Sequence, residues 1–481
     1  MSKDRTAEAK TVSESRHGQK GRRPGDQYII VELCKTARLA LPMVLSQIGQ
    51  IAMMTTDLVF IGRAGADVLA AAALAGRIYL FGFTFGLGLL AAIQPVAAQA
   101  FGANNLSLIR RSLRMSLWEA VLLSFPIMVF ALQGQSVLLA IGQKPDEAWL
   151  AQQYLLGLTW GTAPALCFAV LRSFMGAVNR PEPVLWITLA AVPINALLVY
   201  LLMYGKLGLP RLELFGAGLA TTLVNSGTFL AGLYLATMRL PFRDYHVLAH
   251  LWRFDRALMR QLIVIGTPIS IKGLMAYGLS SAAALLAGRI SASALAAHQI
   301  AVQVAVILFM LSYGIATATA VRVSHAVGRN DGPGVKRAGL VGMLLGMVVA
   351  TIVTFAIVAA RFQITNLFLG ESTGDAGATT GLAAKLVLAG ASCYITEAVA
   401  TIAAGALCGL KDTRVPLLFL CIAYWLVGLS LSYVLSLNIG LGAVGIWIGL
   451  STGATLYGAL LALRFWLLAN RIAHRSRRLP V

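Results

Sequence analysis

The chain has 481 residues, of which 58% are apolar and only 12% are charged. A soluble domain carries about 25% charged residues, so this composition excludes an ordinary soluble fold and predicts a membrane protein. The net charge of +20 raises the alternative of a nucleic-acid partner. However, 30 of the 39 Lys and Arg residues lie before the first span, in alternate loops or at the C-terminal end, against 7 in the opposite loops. This asymmetry is typical of a multi-pass protein with both termini in the cytoplasm, and no nucleic acid is expected as a partner.

Residues 1–27 are basic and poor in apolar side chains, which predicts a disordered cytoplasmic tail. They contain no apolar segment ahead of a cleavage site, so we expect the first membrane helix to direct insertion. Twelve apolar stretches of membrane-spanning length follow, and residues 469–481 form a second basic cytoplasmic tail. The stretches lie near residues 39–62, 70–100, 113–134, 150–178, 184–203, 215–238, 258–287, 295–321, 338–360, 383–408, 415–436 and 441–468.

The first span carries one carboxylate, Asp57, next to Thr55 and Thr56. A charged group at the centre of a bilayer costs about 3 kcal/mol on insertion scales, so such a residue usually marks an ion or substrate path. Burial disfavours the ionised form of a carboxyl group, which brings proton exchange into the physiological range. We therefore predict that Asp57 is a coupling or substrate site. The alternative is a structural role, with the carboxylate accepting hydrogen bonds from the two threonines.

The chain contains an internal repeat. Shifting the sequence by 226 positions aligns Pro42 with Pro268, and with the same offset Gly88 aligns with Gly314. Each half then holds six helices, which predicts an N-lobe at residues 28–238, a cytoplasmic linker at 239–257 and a C-lobe at 258–468. Six is an even number, so the halves share one orientation in the membrane. Parallel repeats are typical of transporters that bind substrate between rocking lobes, although a channel or a scaffold would also allow them.

Six motifs occur in order along these spans: TTDLVFIGRAGADVLAAAALA, QPVAAQAFGANN, LRSFMGAVNRPEPV, LAAHQIAVQ, VRVSHAVGRND and GALCGLKDTRVP. Together they resemble the multidrug and toxic compound extrusion (MATE) family, in its bacterial NorM-like branch, over about residues 39–468. The resemblance implies an all-α membrane protein with twelve transmembrane helices in two pseudo-symmetric lobes arranged as an inverted V. It also implies an inner-membrane antiporter that exports small organic, often cationic and aromatic compounds in exchange for protons or sodium ions.

The resemblance assigns ion coupling to Asp57, to Asn195 on the fifth helix and to Glu397 on the tenth. Ala276 stands where NorM-like members have a second acid in the C-lobe. One of the two acids expected to hold a sodium ion is therefore missing, so proton coupling is favoured, and sodium at Glu397 is the disfavoured alternative. Lys272 lies one turn before Ala276, and we predict that it pairs with Glu397 at a similar depth. The alternative is that Lys272 reaches the interface while Glu397 meets water.

The remaining polar residues in the spans carry weaker predictions. Gln94, with Asp57, Lys272 and Glu397, is a candidate for the substrate cavity, or it bonds across helices. Arg77 and Glu119 lie near predicted helix ends, which favours interfacial positions.

Several other functions are disfavoured. The chain has no GxxxxGK[ST] loop and no nucleophile beside a base, so we expect neither an enzyme nor a cofactor or bound metal beyond the coupling ion. A lipid-linked oligosaccharide or lipid flippase would share the architecture but would have a strongly basic cavity. A membrane scaffold would leave the charges in the spans unexplained. We expect a monomer with a small-molecule substrate.

Overall fold

The computed structural model describes residues 24–206, 208, 210–239, 242–245, 252–369 and 376–476, and all regular structure in these residues is helical. The main helices are α1 (Pro24–Gly62), α2 (Ala66–Gly102), α3 (Leu106–Leu132), α4 (Pro145–Thr159 and Thr162–Ala177), α5 (Glu182–Tyr204), α6 (Glu213–Met238), α7 (Arg256–Ile290), α8 (Ala292–Gly328), α9 (Gly332–Ala359), α10 (Ala376–Ala389 and Ala391–Gly409), α11 (Arg414–Asn438) and α12 (Gly442–Ser476). Shorter helices cover Gly134–Ala140, Phe242–Tyr245 and Arg361–Leu369.

Eleven helices in the described part of the chain are long and apolar enough to cross a membrane, and α4 brings the number to twelve if its halves count as one span. These halves are bent by 49°. Pro164 explains part of the bend, because it has no N–H to bond the carbonyl of Trp160 at the break. The predicted all-α fold with twelve spans is confirmed. Helix α1 begins four residues inside the predicted tail, and residues 1–23 lie outside the described residues.

The two lobes, α1–α6 and α7–α12, share an apolar core at one end only. We call this end the base; it contains the first half of α1 and the last turns of α2 and α8. There, Leu39 of the first lobe and Ile315 of the second belong to the same buried cluster. At the other end the first lobe has its own core around Ile61, and the second lobe has a separate core around Trp447. The lobes therefore diverge from the base and leave a cleft between them.

Two glycines related by the repeat lie at close approaches of the lobes near the base. A Cβ added to Gly88 of α2 would lie 2.5 Å from Cα of Ser270 in α7. A Cβ on Gly314 of α8 would lie 2.7 Å from Cα of Val44 in α1. The two contacts are related by the 226-residue repeat, because both the glycines and their partners are that far apart. The repeat thus places the two helix crossings symmetrically.

Polar contacts also join the lobes at the base. Nη2 of Arg322 in α8 lies 2.6 Å from Oε1 of Glu32 in α1, and both side chains are largely buried. The side-chain amide of Gln94 donates to the carbonyl of Thr317, with 2.9 Å between nitrogen and oxygen. Gln94, a candidate for the cavity, therefore bonds across the lobes in this structure.

Candidate functional site

Asp57 lies inside the first lobe, in the last two turns of α1, and is only 8% exposed. The side-chain amide of Asn195 in α5 donates to Oδ1 of Asp57. The hydroxyl of Thr221 in α6 lies 3.4 Å from Oδ2. The neighbouring Thr56 donates instead to the carbonyl of Ala52 at 2.7 Å, as threonines inside helices commonly do. The donors to Asp57 thus come from two other helices and not from the adjacent Thr56.

Thr221 is a site residue that sequence reasoning missed. Its signal was a second threonine pair in an apolar helix, Thr221 and Thr222, like the pair that precedes Asp57. The sequence does not show which member faces the acid. In the structure Thr222 donates to the carbonyl of Gly157 at 2.6 Å, which leaves Thr221 to face the carboxyl group.

The walls around Asp57 are polar but neutral. Tyr154 of α4 lies within electrostatic range of the carboxyl group, and Tyr79 of α2 lies close to Tyr154. Thr162 donates to the hydroxyl of Tyr79 at 3.4 Å. No Lys or Arg forms an ion pair with Asp57 among the residues that the structure covers. The acid therefore has hydrogen-bond donors but no compensating positive charge.

Glu397 lies inside the second lobe, in α10, and is partly accessible. The sulfur of Cys393 lies 4.0 Å from Oε2, and three tyrosines surround the carboxyl group: Tyr394, Tyr424 and Tyr457. The rings of Tyr424 and Tyr457 pack with their centroids 5.4 Å apart. Within the described ranges, no group of three or more His, Cys, Asp or Glu side chains is placed to hold a metal ion.

The predicted ion pair between Lys272 and Glu397 is wrong for this conformation, because no such contact occurs among the described residues. Lys272 lies near Cys408 at the inner end of α10. Glu397 is eleven residues earlier in that helix, or about 16 Å away at a rise of 1.5 Å per residue. The two charges lie at different depths, whereas counting from the predicted helix starts placed them at the same depth.

Glu119 is also placed differently from the prediction. Helix α3 begins at Leu106, about seven residues before the predicted start of the span, so Glu119 lies well inside the helix. It is 3% exposed, and neither carboxyl oxygen has a hydrogen-bond partner in the described structure. The interfacial position expected for Glu119 is therefore wrong.

Comparisons with known proteins agree with this architecture. The MatE family model matches residues 42–201 and 268–434. A relative from Bradyrhizobium diazoefficiens, described as a probable multidrug resistance protein NorM, is 56% identical over 92% of this chain and 95% of its own length. A protein of the same description from Rhodopseudomonas palustris is 49% identical over 90% of this chain and 91% of its own. A crystal structure of a MATE protein in the bent conformation superposes with a TM-score of 0.84 at 18% identity, covering 95% of this chain and all of that one.

Proposed function

The chain belongs to the MatE family of multidrug transporters, and from that premise we propose that it is a proton-coupled antiporter of the bacterial inner membrane. Its cargo is small organic compounds, often cationic and aromatic. The observation that carries the proposal is Asp57, an acid enclosed in one lobe with neutral donors and with no ion pair to a Lys or Arg among the described residues. Such a group changes its charge when it gains or loses a proton. The route of export is inferred from the two lobes and the cleft between them.

The hydrogen bonds of Asp57 suit both protonation states. Thr221 has one hydroxyl hydrogen, and its oxygen lies 3.4 Å from Asp57 and 3.2 Å from the carbonyl of Ala217. When Asp57 is ionised, the hydroxyl donates to the carboxylate. When Asp57 is protonated, the carboxylic acid donates to the hydroxyl, which then donates to Ala217. Asn195 donates to the other oxygen in both states. Neither state leaves the carboxyl group without partners.

This exchange gives a route to antiport. Both termini are proposed to lie in the cytoplasm, because of the distribution of basic residues. The joined base then faces the cytoplasm and the cleft opens outward. An ionised Asp57 attracts cationic cargo, and a proton arriving from outside neutralises the acid and weakens that attraction. Rocking of the lobes about the base would carry the proton inward.

Sodium is the less favoured coupling ion. Hard cations are held by several oxygen ligands, usually including more than one carboxylate. Glu397 has a thiol and three tyrosines around it, and Ala276 occupies the position of the missing acid. We assign Glu397 a secondary part in proton coupling.

The test is export by purified protein in liposomes with separately imposed proton and sodium gradients. We expect a proton gradient alone to drive export of an aromatic cation such as ethidium. Asp57→Asn should abolish this export, because the amide cannot carry a proton. Asp67→Asn is the matched control, since Asp67 is an exposed acid in the first turn of α2. Export by Asp57→Asn at the normal rate, or export driven only by sodium, would refute the proposal.

A flippase for lipid-linked oligosaccharides or lipids is the second candidate. One observation favours it: Lys272 makes no ion pair in the described part of the chain, which adds positive charge to the interior. The acids Asp57 and Glu397 argue against a strongly basic cavity. Translocation of a labelled anionic lipid in the same liposomes decides between the two functions. We also propose a monomer, which light scattering of the purified protein tests.

A further inference from the structure

Glu119 of α3 is a buried acid that the proposed export route does not use. It is 3% exposed, and neither of its carboxyl oxygens has a hydrogen-bond partner in the described structure. None of the described Lys and Arg side chains forms an ion pair with it. An ionised carboxylate without partners is very costly to bury, so Glu119 holds its proton in this conformation.

The packing of α3 on α2 gives the depth of Glu119 in the molecule. A Cβ added to Gly86 of α2 would lie 3.1 Å from the side chain of Ile127 in α3. The two helices are joined by a short turn and run antiparallel. Glu119 precedes Ile127 by about two turns, so it lies level with residues 92–94 of α2. This level is on the base side of Gly88.

A small apolar cluster joins the two lobes at this level. Its members include Met115 of α3, Val96 of α2 and Leu262 of α7. Glu119 follows Met115 by one turn and therefore lies on the same face of α3, beside the contact with α7. The acid thus lies at the contact between the lobes and not inside one of them.

Close approaches of α2 and α7 lie between Glu119 and the cleft. A Cβ added to Gly266 of α7 would lie 2.8 Å from Cα of Leu89 in α2, and the crossing of Gly88 with Ser270 lies next to this contact. The closed base therefore separates Glu119 from water in the cleft. Separation of the base would let water reach the acid from the cytoplasmic side.

The helices around Glu119 bring no basic partner to it. Helix α2 has no Asp, Glu, His, Cys, Tyr, Lys or Arg between residues 80 and 102. The nearest titratable groups on the other elements are Arg114 of α3, Cys167 and Arg172 of α4, Arg260 and Lys272 of α7, and Tyr245 of the short helix after α6. Arg114 lies near Asp255, Arg172 near Tyr313 and Lys272 near Cys408, while Arg260 is exposed. Access to water, and not a neighbouring charge, therefore governs the protonation of Glu119.

A buried hydroxyl without a partner lies beside Glu119. Ser116 is fully buried, and its Oγ atom has no hydrogen-bond partner in the part of the chain that the structure describes. Ser112 of the same helix instead donates to the carbonyl of Ile109 at 2.8 Å. Residues three apart are neighbours on a helix surface, so the hydroxyl of Ser116 can donate to Glu119 once the acid is ionised.

The protonated acid suits the closed base, and the ionised acid suits an open base that water reaches. We propose that Glu119 is a pH-sensitive latch: the base closes when Glu119 takes up a proton from cytoplasmic water and opens when it returns that proton. The proton enters and leaves on the same side, so the latch adjusts transport to cytoplasmic pH without adding to the protons exchanged. This inference rests on the proposed rocking of the lobes and adds its regulation.

The test follows the base through spin labels at two exposed positions of the open ends, Lys144 and Leu441, which approach each other when the base separates. The reference protein lacks the native cysteines and carries Asp57→Asn and Glu397→Gln, so neither of those acids titrates. No substrate or gradient is present. Between about pH 6 and pH 9 we expect the population at the short distance to grow with pH. The ratio of open to closed base should rise by up to about tenfold per pH unit, because each opening releases one proton.

Substitutions at Glu119 assign the response to this residue. Glu119→Gln is neutral at every pH and should keep the long distance throughout the range. Glu119→Met, with an unbranched apolar side chain, is a second neutral variant and should behave in the same way. Glu119→Asp retains an acid and should retain the response. Glu182→Gln is the matched control, because Glu182 is an exposed acid in the first turn of α5, and it should respond as the reference does.

The same pH response in Glu119→Gln as in the reference protein would overturn the proposal. So would a reference protein whose distance does not change with pH, or one whose distance lengthens as the pH rises. The proposed function fails separately, through export that Asp57→Asn leaves intact. The distances are measured without a gradient and in a protein that lacks Asp57, so they do not depend on that result.

Discussion

The hydrogen bond from Thr221 to Asp57 becomes visible only in the tertiary structure. Its removal is a direct test of the Asp57 site. Thr221→Val keeps the shape of the side chain but deprives Oδ2 of its donor. A hydrogen bond to a charged group contributes about 1.5–3 kcal/mol, so we expect export under a proton gradient to fall by about tenfold or more. Transport by reconstituted protein measures the effect.

Two controls isolate the hydroxyl of Thr221. Thr221→Ser retains it and should retain most of the activity. Thr237→Val removes a threonine at the end of the same helix, where the hydroxyl donates to the carbonyl of Leu233 at 2.9 Å. This variant should export at the wild-type rate. Full activity of Thr221→Val would show that the hydroxyl has no part in coupling.

Single residues also show how far the sequence predicts this site. Asp57 and Asn195 were predicted because a lone carboxylate in an apolar helix is rare, and the family resemblance placed the amide beside it. Thr221 gave only the weaker signal of its pairing with Thr222, since a threonine in a membrane helix usually bonds its own backbone. The partner predicted for Lys272 was wrong because depth was counted along the sequence from predicted span starts, which do not show that the turn of α10 beside Lys272 is the one with Cys408.

At the scale of helices, the inner ends of α2, α4, α8 and α10 share one geometry. Each is followed by a residue with left-handed backbone, and the N–H groups there bond back to carbonyls three and five residues earlier. These residues are Asn104, Asn179, Asn330 and Lys411, with φ of 53°, 63°, 56° and 61°. Asparagine tolerates this conformation, whereas a lysine pays a steric cost of about 1 kcal/mol. Lys411 is therefore the strained member of the set.

Lys411→Asn should stabilise the protein by about 1 kcal/mol at neutral pH, through relief of this strain. Burial lowers the pKa of Lys411 from its usual value of 10.5. Between the lowered pKa and 10.5 the unfolded chain binds more protons than the folded one, so wild-type stability rises with pH in that interval. The variant should lack the contribution of Lys411 to this rise.

Thermal unfolding of the detergent-solubilised protein, recorded at neutral pH and near pH 10, measures both effects. Asn330→Ala serves as the opposite control, because it places a less tolerant residue in the same geometry and should destabilise. An unfolding temperature of Lys411→Asn equal to or below the wild type at neutral pH would contradict the assignment of strain.

The order and type of the helices could be predicted from the sequence, because an apolar run of membrane-spanning length can form few structures other than a transmembrane helix. The ends of the helices were not. Helices α1 and α3 continue into polar segments, where no change of hydropathy marks their starts. The break in α4 depends on the local geometry at Trp160 and on packing, which the apolar pattern does not contain.

At the scale of the whole molecule, the 226-residue repeat corresponds to two equivalent contacts between the lobes at the base. Gly88 and Gly314 aligned in the sequence without an evident reason, and the structure shows that each lies at a point where backbones of opposite lobes meet. The ion pair between Glu32 and Arg322 closes the same end. The proposed rocking requires this end to separate, so its packing must be tight but not permanent.

A larger residue at Gly88 should therefore shift the lobes. A Cβ there would lie 2.5 Å from Cα of Ser270, whereas carbon atoms pack at about 3.5–4.0 Å. We expect Gly88→Val to force the base apart, bring the open ends of the lobes together and abolish export. Spin labels at exposed positions of the open ends, Lys144 and Leu441, report the distance in a variant without the five native cysteines. The distance should shorten.

Gly76→Val is the control for this wedge, because Gly76 lies in the same helix and an added Cβ would meet no atom within 4 Å. It should leave both the distance and export unchanged, so a loss shared by both variants would point to a general effect of valine in α2. An unchanged distance in Gly88→Val, together with normal export, would show that the crossing at Gly88 does not set the closure of the base. A shortened distance with export intact would separate closure from transport and contradict rocking about this crossing.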